Sequence, residues 1–172
     1  TGPTNQQTGD DSLIYTNSAM VDGLTVMLNY KPSESGASDS TTGYGVAFSG
    51  IEGLNIGAAQ EDNNTTANAT VENTVFYATY ATEMGLSVGI QVNESDSQTA
   101  NSDTDFEAWG VSYQINEDIA VSYGSSKVEF ESGASKSDQE ADAIGISWTN
   151  GSMSITASRH DIQNVAGAAT DD

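Results

Sequence analysis

The chain has 172 residues, with 25 acidic and 4 basic side chains and a formal net charge of -21; a phosphate backbone is repelled, which excludes nucleic acid as a partner. Absence of cysteine and a single histidine, His160, exclude a disulfide framework, thiolate chemistry and a histidine-based zinc or catalytic centre. No window approaches the roughly 20 apolar residues of a membrane-spanning helix, a criterion that says nothing about membrane strands, which alternate.

In chain order, the opening "TGPTNQQTGDD" holds neither an initiator methionine nor a signal peptide, so the chain is expected to be processed or part of something longer. From there the hydrophobic period is 2 and not 3.6. "SLIYTNS" leads through "AMVDG" into "GLTVMLNY" (23–30), and "GYGVAFS" through "GIEG" into "GLNIGAA" (53–59). "VFYATYA" leads through "TEMG" into "GLSVGIQV" (85–92), and "AWGVSYQ" through "INED" into "DIAVSYG" (118–124). "AIGISWT" reaches "GSMSITAS" (151–158) through Asn150-Gly151, the strongest hairpin signal in the chain. The second strands start at 23, 53, 85, 118 and 151, spaced by 30, 32, 33 and 33 residues, which marks one module used five times. Ten strands in five hairpins are predicted, as a single domain over residues 1–172. Polar segments 31–43, 60–73, 93–105 and 131–142 lack periodicity and are predicted loops. Short turns then gather at one end of an up-and-down antiparallel sheet and long loops at the other.

The two parities of each strand differ in chemistry. One carries Leu24, Val26 and Leu28, then Leu54 and Ile56, then Leu86, Val88 and Ile90, with Val111, Val121, Ile146 and Ile155 further on. Tyr30, Tyr44, Phe48, Tyr113, Tyr123 and Trp148 share that parity near strand ends. The other carries Thr25, Asn29, Ser49, Asn55, Ser87, Gln91, Ser112, Ser122, Ser147, Ser154, Thr156 and Ser158 among glycines and alanines. Only the strand at 75–82 is ambiguous, since Phe76 and Tyr80 share one parity and Val75 and Tyr77 the other. A soluble two-sheet sandwich, the competing reading as a secreted adhesion or binding module with acidic loops, would put long polar and charged residues on its wet face. Here nearly all charge is expected in loops. Residues this small cannot fill a narrow barrel; they suit the wall of a wide aqueous lumen, and the first set suits lipid with aromatic girdles.

With these faces in place, "SLIYTNSAMVDGLTVMLNY", "GYGVAFSGIEGLNIGAA" and "GVSYQINEDIAVSYG" resemble the general-diffusion porins of Gram-negative outer membranes. The resemblance spans about residues 10–160 and lies in strand-and-turn pattern more than in any one motif. It implies an all-β transmembrane barrel of sixteen strands, ten of them here, assembled as a homotrimer. It also implies passive diffusion of small hydrophilic solutes and ions, with membrane lipid and lipopolysaccharide as partners. The family ends on an aromatic strand and this sequence on "GAATDD", so the chain reads as strands six to fifteen. On that placement Thr1–Asp10 corresponds to the tail of the family's inward-folded third loop, and no constriction residue is assigned.

Other candidates are weaker. "EDNN" (61–64) and "SDTD" (102–105) offer oxygens for calcium but not the spaced ligand pattern of a calcium loop, so solvated acidic surface is expected. Asn64-Thr65-Thr66 and Asn68-Ala69-Thr70 fit the glycosylation pattern by composition alone. Arg159, His160 and Asp161 lack an accompanying nucleophile and are expected in a strand-end loop. No catalytic residue, cofactor or metal site is expected, and the four basic residues, Lys31, Lys127, Lys136 and Arg159, are placed at or beyond the loop ends of strands.

Overall fold

The structure, a computed structural model, describes residues 12–33, 40–64, 70–100, 102–131 and 136–168; Thr1–Asp10, and positions 65–66 and 68–69 of the two glycosylation patterns, lie outside them. Ten strands run as β1 (Leu13–Asn17), β2 (Leu24–Lys31), β3 (Ser40–Phe48), β4 (Leu54–Asn64) and β5 (Thr70–Ala81). They continue as β6 (Leu86–Ser97), β7 (Thr104–Gln114), β8 (Ile119–Phe130), β9 (Gln139–Asn150) and β10 (Met153–Gln163), before one 3-10 turn at Val165–Gly167. All lie in a single antiparallel sheet in chain order, with β1 and β10 at its edges. The predicted up-and-down meander of five hairpins is the observed one.

Glycine sets the short turns. Gly23, Gly53 and Gly85 have φ of 75°, 75° and 83°, a region that side chains with a Cβ avoid. The carbonyl of each accepts a hydrogen bond from the neighbouring hairpin: Ser49 N at 2.8 Å, Ala81 N at 2.9 Å and Gln114 N at 2.9 Å. In the fourth repeat Asp118 takes that role, its carbonyl accepting from Thr149 N at 2.8 Å, and the Asn116 side chain closes the turn on Asp118 N and Ile119 N. The last turn is shifted by one residue from the predicted Asn-Gly centre. Asn150 still pairs with Met153, so Gly151 (φ 58°) and Ser152 form the loop, the sequence pattern of a II′ hairpin with glycine first.

The strands outrun the apolar periodicity. Segment 60–73, predicted as loop, is paired from Gln60↔Thr74 to Asn64↔Thr70, and residues 93–97 remain in the ladder with β5. Backbone pairing needs a neighbouring strand, not an apolar face, and polar side chains replace apolar contact there: Thr41 Oγ1 donates to Asn63 Oδ1 at 2.8 Å and Asn64 Nδ2 to Ser40 Oγ at 3.3 Å. From β4 onward every strand has 11 or 12 residues, long enough for a tilted strand to cross a bilayer, which takes about 9–11.

No second layer packs on the sheet among the described residues, where Ala59 is the only buried hydrophobic. The accessible surface is 11246 Å², against about 8,000 Å² for a globular monomer of this mass. Leu86, Val88 and Ile90 are 37%, 44% and 50% exposed, not packed in a dry interior. The sandwich is thereby excluded.

Candidate functional site: the two faces of the sheet

Cross-strand partners point to the same face, so register sorts every side chain without reference to hydropathy. Leu24 pairs with Phe48, Val26 with Val46, Leu28 with Tyr44 and Ile56 with Phe48. Leu54, Tyr80, Val88, Val111 and Tyr123 follow one another across five strands. Leu86 faces Tyr113, Ile90 faces Trp109, Val121 faces Ile146, and Ile155 faces Trp148. All twelve residues expected toward lipid share this face. Phe76 and Tyr80 join it through Ala58 and Leu54, which resolves the ambiguous strand.

The residues expected to line a lumen share the opposite face. Ser87, Ser112, Ser122, Gly145 and Ser158 form one row from β6 to β10. Thr25 pairs with Ala47, Asn29 with Gly43, Asn55 with Thr79, Gln91 with Ala108, Ser147 with Thr156 and Ser154 with Thr149. Ser49 sits one residue past β3 and is exposed. Two features here escaped the sequence reading. Tyr77 lays its ring over Gly57, where an added Cβ would meet ring carbons at 2.5 Å, and its hydroxyl reaches Asn55 Oδ1 at 3.4 Å. A glycine opposite an aromatic is the detectable signal, once the register is known. The second is Glu61, 8% exposed on this face.

Charge is distributed differently from the expectation that it sits in loops. Carboxylates occupy the loop-side ends of strands on the apolar parity, in rows such as Asp62–Glu72–Asp96 and Glu94–Asp105–Glu129. Lys127 is inside β8, ion-paired to Glu129 at 2.5 Å and Asp138 at 3.0 Å. Arg159 is inside β10 and not in a loop; it and Asp161 point one way and His160 the other, toward Ser158 Oγ at 3.1 Å. Like charges directly opposite repel and are tolerated where water and salt screen them, so these rows mark where the apolar band ends. Tyrosines tie the two levels together: Tyr44 donates to Gln60 at 2.5 Å and Tyr123 to Asp142 at 2.8 Å, apolar ring on one side and wet hydroxyl on the other. Alternation also separates the 61–64 oxygens, Glu61 and Asn63 on one face and Asp62 and Asn64 on the other, and no cluster of three potential metal ligands occurs among the described residues.

A one-layer meander of membrane-length strands, apolar and uncovered on one face and small and polar on the other, is the architecture of an outer-membrane β-barrel. The model of the Gram-negative porin family matches residues 1–170, and the chain belongs to that family; it is an outer-membrane protein. Among solved structures it is similar to OmpT of Vibrio cholerae. A loop L8 deletion mutant of that protein gives a TM-score of 0.61 at 19% identity over 88% of this chain and 56% of the other. The in-vitro folded form gives 0.59 at 19% identity, over 88% and 53%, and the outer-membrane expressed form 0.58 at 18%, over 90% and 55%. The chain thus spans just over half the length of these structures, and the likeness is one of fold. Comparison with curated proteins gives no match.

Proposed function

We propose that this chain contributes the wall of a water-filled channel for passive diffusion of small hydrophilic solutes and ions, with no enzymatic step. The observation that carries this reading is the unpacked Leu86–Val88–Ile90 stripe backed by Ser87, Gly89 and Gln91 on the other face. Acyl chains and lipopolysaccharide are the partners of the apolar face, and the general-diffusion resemblance adds a homotrimer. Transport is sieving by lumen width, biased by charge at the mouth. With a net charge of -21 concentrated at the loop side, cations are enriched there. Planar-bilayer recording of the full-length protein under a KCl gradient tests both points. Stepwise conductance with a cation-favouring reversal potential is expected; no conductance contradicts the pore, and an anion-favouring potential contradicts the charge argument.

A further inference from the structure

We propose that the small-residue face carries a binding site for one monovalent alkali cation, formed by Glu61 and Asn29 across Gly43. The proposal deepens the channel reading and rests on it for the ion's route, although occupancy itself requires no conduction. Asn29 and Glu61 are 5% and 8% exposed. Both amide atoms of Asn29 and Oε2 of Glu61 are nevertheless without a hydrogen-bond partner. Buried polar atoms are almost always satisfied, so each exception requires an explanation, and a bound ion or water is one. Asp62 Oδ1 is also unpaired but lies on the opposite face beside Glu72, apart from this group.

The surroundings hold the free oxygen in place. Thr41 Oγ1 donates to Asn63 Oδ1 at 2.8 Å, and Asn63 Nδ2 donates to Glu61 Oε1 at 3.1 Å. One carboxylate oxygen is fixed by this relay and the other is left open. Asn29 pairs with Gly43 and Gly43 with Glu61, so the glycine stands between the two side chains. A Cβ there would lie 3.7 Å from both the Asn29 and Glu61 Cβ atoms and 3.5 Å from the nearest backbone oxygen. Nor is Gly43 among the positive-φ glycines. Neither strain nor crowding requires glycine at 43; its effect is to leave the gap between amide and carboxylate unfilled.

The donor set selects the ion. Calcium takes six to eight oxygens, usually with several carboxylates, whereas one carboxylate and one amide oxygen neutralise a single charge and leave the remaining positions to water. Such water also accepts from Asn29 Nδ2. Lys31 is on the same face one pair further along, opposite Thr41, and makes no ion pair with Glu61. Its ammonium is the built-in competitor.

Sodium-23 NMR line-broadening titrations of the full-length protein in detergent test the site, with native folding checked by circular dichroism for every variant. A saturable component is expected in the wild type. Glu61→Gln should abolish it, Gly43→Ala should weaken it at least threefold by filling the gap, and Lys31→Gln should strengthen it. Glu72→Gln, on the other face and exposed, should leave it unchanged. Equal isotherms for wild type and Glu61→Gln, or equal losses for Glu61→Gln and Glu72→Gln, overturn the site in favour of a diffuse ion atmosphere. Conductance without the saturable component overturns the site alone, while the component without conductance overturns the channel and leaves the site.

Discussion

Gly53 has almost no alternative as a residue. A Cβ at its position would stand 2.0 Å from the Ala81 carbonyl oxygen, φ is 75°, and its own carbonyl receives Ala81 N at 2.9 Å. Left-handed backbone costs an L-residue about 1–2 kcal/mol, and the collision adds to it. Gly53→Ala should therefore lower the urea midpoint of the detergent-folded protein clearly, followed by tryptophan fluorescence, whereas Gly151→Ala, with nothing within 4 Å, should cost only the backbone term. Equal midpoints for the two would contradict the close-approach account. At the loop side, a hydrogen bond with Asp103, then the Asp103 charge, with smaller contributions from lost hydration and Asp96, push the Glu131 carboxyl above the ordinary glutamate range. Because the folded value lies above the unfolded one, this contact favours the fold at low pH, and its contribution is lost as pH rises through the folded value. Carbon-13 NMR should show Glu131 titrating high and Asp103→Asn bringing it down; an unchanged midpoint in the variant would remove Asp103 as the cause.

For a strand, the meaning of a substitution depends on parity. Val88 and Ser87 are neighbours in β6 on opposite faces. An arginine facing hydrocarbon near the midplane costs about 2–4 kcal/mol; one facing water costs little. Val88→Arg is expected to lower folding free energy into lipid vesicles by about that amount, and Ser87→Arg to leave folding near wild type while shifting the reversal potential. Comparable losses in both would count against the assignment of faces. Strand number, order and parity were legible because apolar residues alternate at positions such as 86, 88 and 90. The outer extensions were not, because pairs like Asp62↔Glu72 keep the ladder without the hydrophobic contrast. Tyr77 was ambiguous for a related reason: a ring packed on Gly57 imitates a lipid-facing aromatic until register places it. Glu61 was hidden inside an acidic run that reads as loop.

At the scale of the whole molecule, the described residues form ten strands in one sheet with no core of its own. On the channel reading its stability comes from its surroundings, acyl chains on the apolar face and water on the polar one, with the backbone paired along the strands. The absence of cysteine makes this directly accessible by single-cysteine replacement. Residues 86 to 92 of the full-length protein in vesicles can be replaced one at a time and spin-labelled, and relaxation by lipid-soluble oxygen compared with relaxation by a water-soluble nickel chelate. Oxygen should dominate at 86, 88, 90 and 92 and the chelate at 87, 89 and 91. The reverse alternation, or none, would contradict the account.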